Sequence, residues 1–561
     1  MSNLKLPELL SPCGNYDSLK AAVFAGADAV YLGGTAFNAR INADNFDNES
    51  LKKAVDFCHG RGVKLYVTLN TLVYDRRLNE ALSFAHYLYG IGVDALIVAD
   101  GGLSVLLKKY LPDFELHAST QFSSHNSLSS AYLKKLGFKR FVCARELSLR
   151  DLKRLCEKSE LEVEMFCHGA LCASHSGQCL MSSFIGGRSG NRGECAQPCR
   201  MSYNGSFPLS LKDLCLASHI KEILSLGVAS LKIEGRMKSP SYVYAVTDVY
   251  RRLLDEGRNA TPKEISSLAA VFSRGGFTDG YFTSDHSNMI GVRSEKDKSK
   301  TLQSNVKITD KRLTRPRVIV KRADVAPPAS VKPEKPKKTN KINTARFLSA
   351  DKVYNDGYFD IVYLPLFKFD PSKANGVVMP AVVLDTESSS VRAALEDAYK
   401  KGARHVLCGN TGHIALCRDI GYTLHGDYRL NVVNSFSPFK EDFEDIILSP
   451  ELNLAQIRDV DAPKSVILYG KIPVMLLERR VGAAHLRDRR GASFPVVKEG
   501  KRDILINNVP VYMADKLKDV EAAGIQNRHF IFTDESEQEV SAIIEKYKKG
   551  LPDSGDFRRI K

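Results

Sequence analysis

The chain has 561 residues, 43% of them hydrophobic and 26% charged, the balance of a globular protein with length for two to four domains. No stretch reaches the roughly 18 apolar residues of a membrane span, and the opening MSNLKLPELLSPCG lacks the basic start and apolar run of a signal peptide, so a cytoplasmic location away from membranes is expected. The net charge of +15 points to polyanionic partners.

From the N-terminus, short apolar runs alternate with amphipathic stretches. The predicted strands are ELLSP (8–12), AVYLGG (29–34), VKLYVTLN (63–70), ALIVAD (95–100), ELHASTQ (115–121), RFVCARE (140–146), EVEMFCHG (162–169) and SLKIEGR (230–236). YDSLKAAVFAGA, NESLKKAVDFCHGRG, RLNEALSFAHYLYGIG and SLSSAYLKKLG lie between them with helical periodicity, several ending in Gly. Strand–helix alternation means parallel strands with crossovers. Eight such strands fit an α/β fold of the (β/α)8 TIM-barrel type over 1–290, with a doubly wound sheet as the alternative. The predicted strand ends carry Cys13, Asn15, Asn70, Asp100, Ser119, Gln121, Arg145, Glu146, His168, Lys232, Glu234 and Arg236, where a barrel places its chemistry.

Between the seventh and eighth strands, Gly169–Arg200 packs four cysteines, six glycines and three arginines. A cytosolic chain keeps its thiols reduced, so clustered cysteines there bind metal or do chemistry more often than they bridge. The order Cys172-x6-Cys179-x15-Cys195-x3-Cys199 supplies four ligands, for an iron–sulfur cluster or for zinc. Only the second pair is tight, which fits a zinc ribbon poorly. Arg188, Arg192 and Arg200 can offset thiolate charge. Cys13, Cys58, Cys143, Cys156, Cys215, Cys408 and Cys417 are scattered and read as small buried hydrophobes. Cys167 and His168 are neighbours on a strand and point to opposite faces, which disfavours a thiol protease. No HExxH and no GxSxG occurs.

Residues 291–344 hold 16 Lys and Arg against 5 Asp and Glu. This basic linker (291–345) is a solvated spacer or a contact for RNA phosphates. TRPRVIVKR within it can form a short strand, and PPASVKPEKPKK an extended spacer.

Residues 346–561 resemble a worn copy of the first unit, a degenerate second α/β barrel-like domain. LHASTQFSSHNS (116–127) matches LHGDYRLNVVNS (424–435), ARELSL (144–149) matches SPELNL (449–454), and ASHIKEILSLGV (217–228) matches ADKLKDVEAAGI (514–525). Met475 stands where Cys172 would be, and His529 and Ile531 where Lys232 and Glu234 are. The second unit is expected to keep the scaffold and to lack the site.

EMFCHGALCASHSGQCLMSSFIGGRSGNRGECAQPCR, with ELLSPCGNYDSLKAAVFAGADAVYLG, STQFSSHNS, ARELSL, LSLKDL and SLKIEGRMKSPSYV, resembles the signature of peptidase family U32, the collagenase-like proteins. The resemblance covers residues 5–290. It implies a protease (a hydrolase) by the family's name. Through the family's RNA hydroxylases and its oxygen-independent ubiquinone hydroxylase pair, it implies a 4Fe-4S cluster and prephenate as oxygen donor. Carried over, Cys172, Cys179, Cys195 and Cys199 become cluster ligands, with Cys167 as the spare candidate for the fourth. A dicarboxylate co-substrate needs paired cations, for which Arg145, Lys232 and Arg236 stand at neighbouring strand ends. Glu146, His168 and Glu234 are the acid–base candidates. The leading expectation is an iron–sulfur hydroxylase of pyrimidines in rRNA or tRNA. A U32 peptidase and a non-catalytic binding module with a structural metal are the alternatives.

Overall fold

The computed structural model of the protein describes residues 6–41, 43–303, 306–311, 315–323, 325–333, 341–525 and 527–560. All eight predicted strands of the first unit form: β1 (Glu8–Pro12), β2 (Ala29–Gly33), β3 (Lys64–Leu69), β4 (Ala95–Val98), β5 (Glu115–Ala118), β6 (Arg140–Val142) and β7 (Glu162–Gly169), then, after the short β8 (Asp213–Cys215), β9 (Ser230–Ile233). β9 pairs in parallel with both β1 and β7, so the sheet closes into a barrel and the doubly wound alternative falls away. Both faces of these strands are buried, which is why they read as continuous apolar runs. Inside, Leu10, Tyr31, Tyr66 and Ile97 fill one layer. β8 runs antiparallel to β7 at the mouth, and β10 (Phe277–Thr278) extends it.

The second unit repeats this topology strand for strand. β11 (Asn343–Arg346), β12 (Ile361–Pro365), β13 (Gly376–Val378), β14 (His405–Cys408), β15 (Thr423–Gly426), β16 (Ile446–Ile447) and β17 (Lys464–Gly470) follow in order, and the last strand, β23 (Asn527–Ile531), pairs with both β11 and β17. Between β17 and β23 come β18 (Pro473–Leu477), β19 (His485–Arg487), β20 (Ser493–Glu499) and β21 (Arg502–Ile506), a separate four-stranded sheet, and then β22 (Val511–Tyr512). β22 runs antiparallel to β17, as β8 does to β7.

The two barrels meet through reciprocal contacts. Asn126 donates to the Val383 carbonyl at 2.7 Å, and Asn434, its partner in the repeat, donates to the Val73 carbonyl at 2.9 Å. Ser127 N–H reaches Asp385 at 3.0 Å and Ser435 N–H reaches Asp75 at 3.0 Å. Each asparagine sits against a glycine at the second position of a helix, Gly102 in Gly101–Tyr110 and Gly412 in Thr411–Arg418. A Cβ on Gly102 would lie 2.0 Å from Asn434 Oδ1, and one on Gly412 2.3 Å from Asn126 Oδ1. The pattern is that of an isologous dimer interface, built within one chain.

The basic linker does not stand free. Arg315 donates to the Ala27 carbonyl at 2.7 Å and pairs with Asp28 at 2.8 Å. Val318 N–H reaches the His59 carbonyl at 3.1 Å. Arg322 stacks on Tyr89 and Phe114 and donates to the Tyr89 carbonyl at 3.2 Å. These partners lie in the turns and helix ends that precede β2, β3, β4 and β5, at the barrel end opposite the mouth. Arg315 and Arg322 therefore serve as internal staples, which leaves them unavailable to RNA phosphates. Residues 315–323 form no strand, against the short strand expected from TRPRVIVKR. Thr314 and the 334–338 part of the expected extended spacer lie outside the described residues.

Candidate functional site

The C-terminal end of the first barrel gathers four charged side chains. Glu234, just past β9, accepts from Arg40 at 3.1 Å through one carboxylate oxygen and from Arg145 at 3.3 Å through the other. Arg236, two residues on, turns inward and donates to Asn38 Oδ1 at 3.2 Å and Thr68 Oγ1 at 3.1 Å. Room for it is made by Gly33, where a Cβ would lie 2.5 Å from the guanidinium. Arg145 packs flat on Phe166, 4.0 Å from guanidinium to ring centroid. Burial pushes the Glu234 carboxyl upward, but Arg40, Arg145, Arg236 and Lys232 outweigh it and hold the group below the ordinary carboxylate range. Burial and the nearby Arg40 draw Arg236 down to about 10.

Three guanidinium groups thus face one carboxylate, a surplus of positive charge in a largely buried pocket. Arg145 Nε is buried without a partner. Arg40 was missing from the sequence expectation. It lies in the loop after β2, held by Asn38 and Asn70, and nothing in the local pattern sets that loop apart.

The other sequence candidates distribute differently. Lys232 faces into the barrel one layer below Glu234. It pairs with Glu164 at 2.8 Å, which also meets Arg140 at 3.2 Å. Burial pushes Glu164 up, yet Lys232 and Arg140 pull harder and bring it to about 2. Lys232 is therefore part of the interior ion network, short of the mouth. His168 points away from the pocket, packed on Tyr242, Tyr250 and Phe277. Burial lowers it to about 3, so it stays neutral in the helical layer. β7 shifts register between Phe166 and His168, and the strand end so turned presents the imidazole away from the site. Glu146 is buried under the cysteine loop, 3.3 Å from Ser176 Oγ and 3.7 Å from His175 Nδ1.

The cysteine loop leaves β7 at Gly169, whose φ of +106° lets the chain cross directly over Glu234; a Cβ there would lie 2.4 Å from the Glu234 carbonyl oxygen. Cys172 then comes within 3.9 Å of Arg145 Nη1, while Glu234 meets Nη2. Cys172 and Cys195 are exposed and Cys179 and Cys199 half-buried. Burial pushes Cys179 well up and Cys199 to about 11. Both feel the charge of Cys172 and Cys195. Backbone N–H groups are aimed at the sulfurs: Met181 at Cys179, Ala173 at Cys199, and Gln197 at Cys195 at 3.3 Å.

A single tetrahedral ion with sulfur bonds of about 2.3 Å would draw its thiols to within roughly 4 Å of one another. Among the described residues no three ligating side chains are gathered that tightly. The four thiols lie on one loop with amides pointed at three of them, and the described residues do not draw them together around a single point. Cys167 stands outside the set: it is fully buried in the barrel wall, its thiol directed at the Lys232 carbonyl at 3.5 Å. Arg200 ties the loop's ends, donating to the carbonyls of Leu171 at 2.8 Å and Leu211 at 2.6 Å. Arg188 and Arg192 are turned to Glu194.

The second unit holds this loop. His175 N–H donates to the Leu476 carbonyl at 2.7 Å and Leu180 N–H to the Val474 carbonyl at 2.8 Å, so β18 runs alongside the loop. His175 Nε2 meets Glu478 at 2.8 Å, and Glu478 meets Arg502 at 2.6 Å. Asn431 donates to the Gly177 carbonyl at 3.1 Å. None of these contacts was visible in the sequence, because the partners lie some 300 positions apart.

A model of peptidase family U32 matches residues 14–290. A tRNA hydroxylation protein of Bacillus subtilis (strain 168) is 38% identical over 268 residues, 45% of this chain and 64% of that protein. A 23S rRNA 5-hydroxycytidine synthase of Escherichia coli (strain K12) is 40% identical over 286 residues, 49% of this chain and 42% of that protein. A collagenase of Porphyromonas gingivalis is 33% identical over 306 residues, 49% of this chain and 73% of that protein. The chain thus spans between about two-fifths and three-quarters of the length of these relatives.

Proposed function

For a chain that belongs to peptidase family U32, we propose hydroxylation of pyrimidine bases in rRNA or tRNA at the mouth of the first barrel. The observation that carries this reading is the position of Arg145, 3.9 Å from Cys172 through Nη1 and 3.3 Å from Glu234 through Nη2. The cysteine loop and the arginine pocket therefore open on the same space. The names of the Bacillus and Escherichia relatives supply the substrate class.

Cys172, Cys179, Cys195 and Cys199 would hold a 4Fe-4S cluster, and the amides of Ala173, Met181 and Gln197 would stabilise their thiolates. Bound there, the cluster would supply Lewis-acid or redox chemistry. Arg40, Arg145 and Arg236 would take the carboxylates of a small dicarboxylate oxygen donor, prephenate by family resemblance, through bidentate guanidinium pairs. An arriving dianion competes for Arg40 and Arg145. That competition frees Glu234 and raises its proton affinity, so the group able to accept the proton lost from the pyrimidine carbon is switched on by donor binding. Phe166 and the loop above exclude water. No helix among the described residues is long and apolar enough to cross a membrane, and a loop of reduced thiols suits the cytoplasm.

The test is mass spectrometry of RNA nucleosides from cells with and without the protein. Loss of one hydroxylated pyrimidine on deletion, restored by the wild-type chain, is the expected result. An unchanged nucleoside profile, together with gelatin cleavage that survives Cys→Ser exchange at all four positions, would replace this reading with the peptidase.

A further inference from the structure

Beside the pocket, the rim between the cysteine loop and the helix Pro240–Glu256 carries a second set of cations. Lys238 follows Arg236 by two residues and lies over the Phe272 ring, 2.9 Å from its centroid. Arg293 stacks 4.4 Å from the same centroid. Among the described residues its guanidinium finds Thr301 Oγ1, at 3.2 Å, and its Nε is buried without a partner. Arg274 reaches Asp213 Oδ1 at 3.3 Å, while Asp213 Oδ2 is buried and unpaired. Lys238 forms no ion pair among the described residues. The set adjoins both halves of the site. The backbone of Gly291 is bonded to Ser210 at 2.8 Å, and Ser210 Oγ meets Arg200, next to Cys199, at 3.2 Å.

On this half-buried rim Arg274 alone pairs with Asp213, and Lys238 and Arg293 add two cations with no ion pair among the described residues. Burial, with Arg274 and Arg293 close by, draws the Lys238 amine down to about 7 against the pull of Asp213 and Glu234. Holding such groups half-desolvated is costly unless an anion completes them. Two of them already lie against Phe272, which leaves little ring face for a stacked base. Point charges around a covered ring suit the sugar–phosphate backbone.

We propose that Lys238, Arg274 and Arg293 form a ledge for RNA phosphodiesters, gripping the strand next to the nucleotide that enters the Arg40–Arg145–Arg236 pocket. The proposal rests on the RNA reading above and adds where the backbone runs. Phosphate contacts of this kind set register and affinity, with no sequence preference of their own.

The experiment uses the full chain and a 20-nucleotide single-stranded oligoribonucleotide of mixed sequence, with anisotropy titrations between about 50 and 200 mM salt. The double variant K238A/R293A is expected to weaken binding about tenfold at low salt. It should flatten the slope of log affinity against log salt by about 1.4, from two contacts at about 0.7 each. K238R/R293K should keep both. In the wild-type chain, bound oligonucleotide should slow acylation of Lys238 by an amine-reactive ester at least threefold while leaving the exposed Lys263 unaffected, a readout independent of any variant's folding. An unchanged slope and an unprotected Lys238 in a chain that binds the RNA overturn the ledge and leave the RNA reading standing. A wild-type chain that does not bind the oligonucleotide overturns both.

Discussion

The two barrels share one topology and part after the seventh strand, with β10 extending the sheet of the first unit alone. After β7 the first unit inserts the cysteine loop; after β17, at the same point of the repeat, the second inserts the sheet β18–β21. The pocket charges differ too. In the repeat alignment Pro450 and Ile531 stand where Arg145 and Glu234 do, and His529 stands for Lys232. The comparison teaches that the barrel is indifferent to what its strand-end loops carry. It also shows that the second unit supports the first: β18 runs beside the cysteine loop, and Glu478 closes on His175.

The sharpest way to break this contrast is to remove one thiol from each unit. On the proposed function, Cys179→Ser should lower RNA hydroxylation more than about 100-fold, because the proposed cluster would be left with three ligands. Cys408→Ser, in the buried thiol pair of the second barrel, should leave hydroxylation within about twofold and cost about 1 kcal/mol of stability. Nucleoside mass spectrometry of complemented cells reads the first effect and thermal melting the second. Equal losses in both variants would mean that the second barrel carries chemistry after all.

Next in size is Glu234→Gln, which keeps the shape of the pocket but leaves Arg40, Arg145 and Arg236 without a counter-charge. Hydroxylation should fall about 100-fold, in the range of a lost acid–base group. Binding of the dicarboxylate donor, followed by calorimetry, should tighten or hold. Weaker donor binding would show that Glu234 organises the arginines and does not compete with the donor for them.

Glu478→Gln tests the support role. A charge-assisted hydrogen bond of about 1.5–3 kcal/mol is lost, so the loop should open about 10- to 100-fold more often. The rate of alkylation of Cys179 in the metal-free chain reports this. Unchanged alkylation would separate the second unit from the loop.

The smallest effect probes the symmetry of the interface. Gly102→Ala and Gly412→Ala each drive a methyl group into an asparagine from the other barrel and should each cost about 1–3 kcal/mol. The two costs should agree within about 0.5 kcal/mol in chemical denaturation. A difference above about 1.5 kcal/mol would show that the reciprocal contacts are unequal in energy.

Much of this could be read in the chain. Short apolar runs between stretches of period 3.6 located the eight strands that close the first barrel, and missed the short β8 and β10 at its mouth. The collinear matches around LHASTQFSSHNS announced the repeat whose Asn126 and Asn434 turned out to cross between barrels. The spacing of the four cysteines marked the loop. His168 was misplaced because residue type and strand-end position cannot say which face a bulged strand end presents. β7 shifts register between Phe166 and His168. Lys232 was placed one layer too high for a similar reason.

The sequence by itself determined parallel strands buried on both faces and their duplication, a pattern that a barrel and a doubly wound sheet share; closure into a barrel was decided by β9 pairing with both β1 and β7. The sequence also singled out the thiols. Tertiary structure alone decided which charges meet: Arg40 with Glu234, Arg145 between a carboxylate and a thiol, and His175 with Glu478. Those pairings join residues tens to hundreds of positions apart. Electrostatic contact depends on distance in space, and local periodicity carries no record of it.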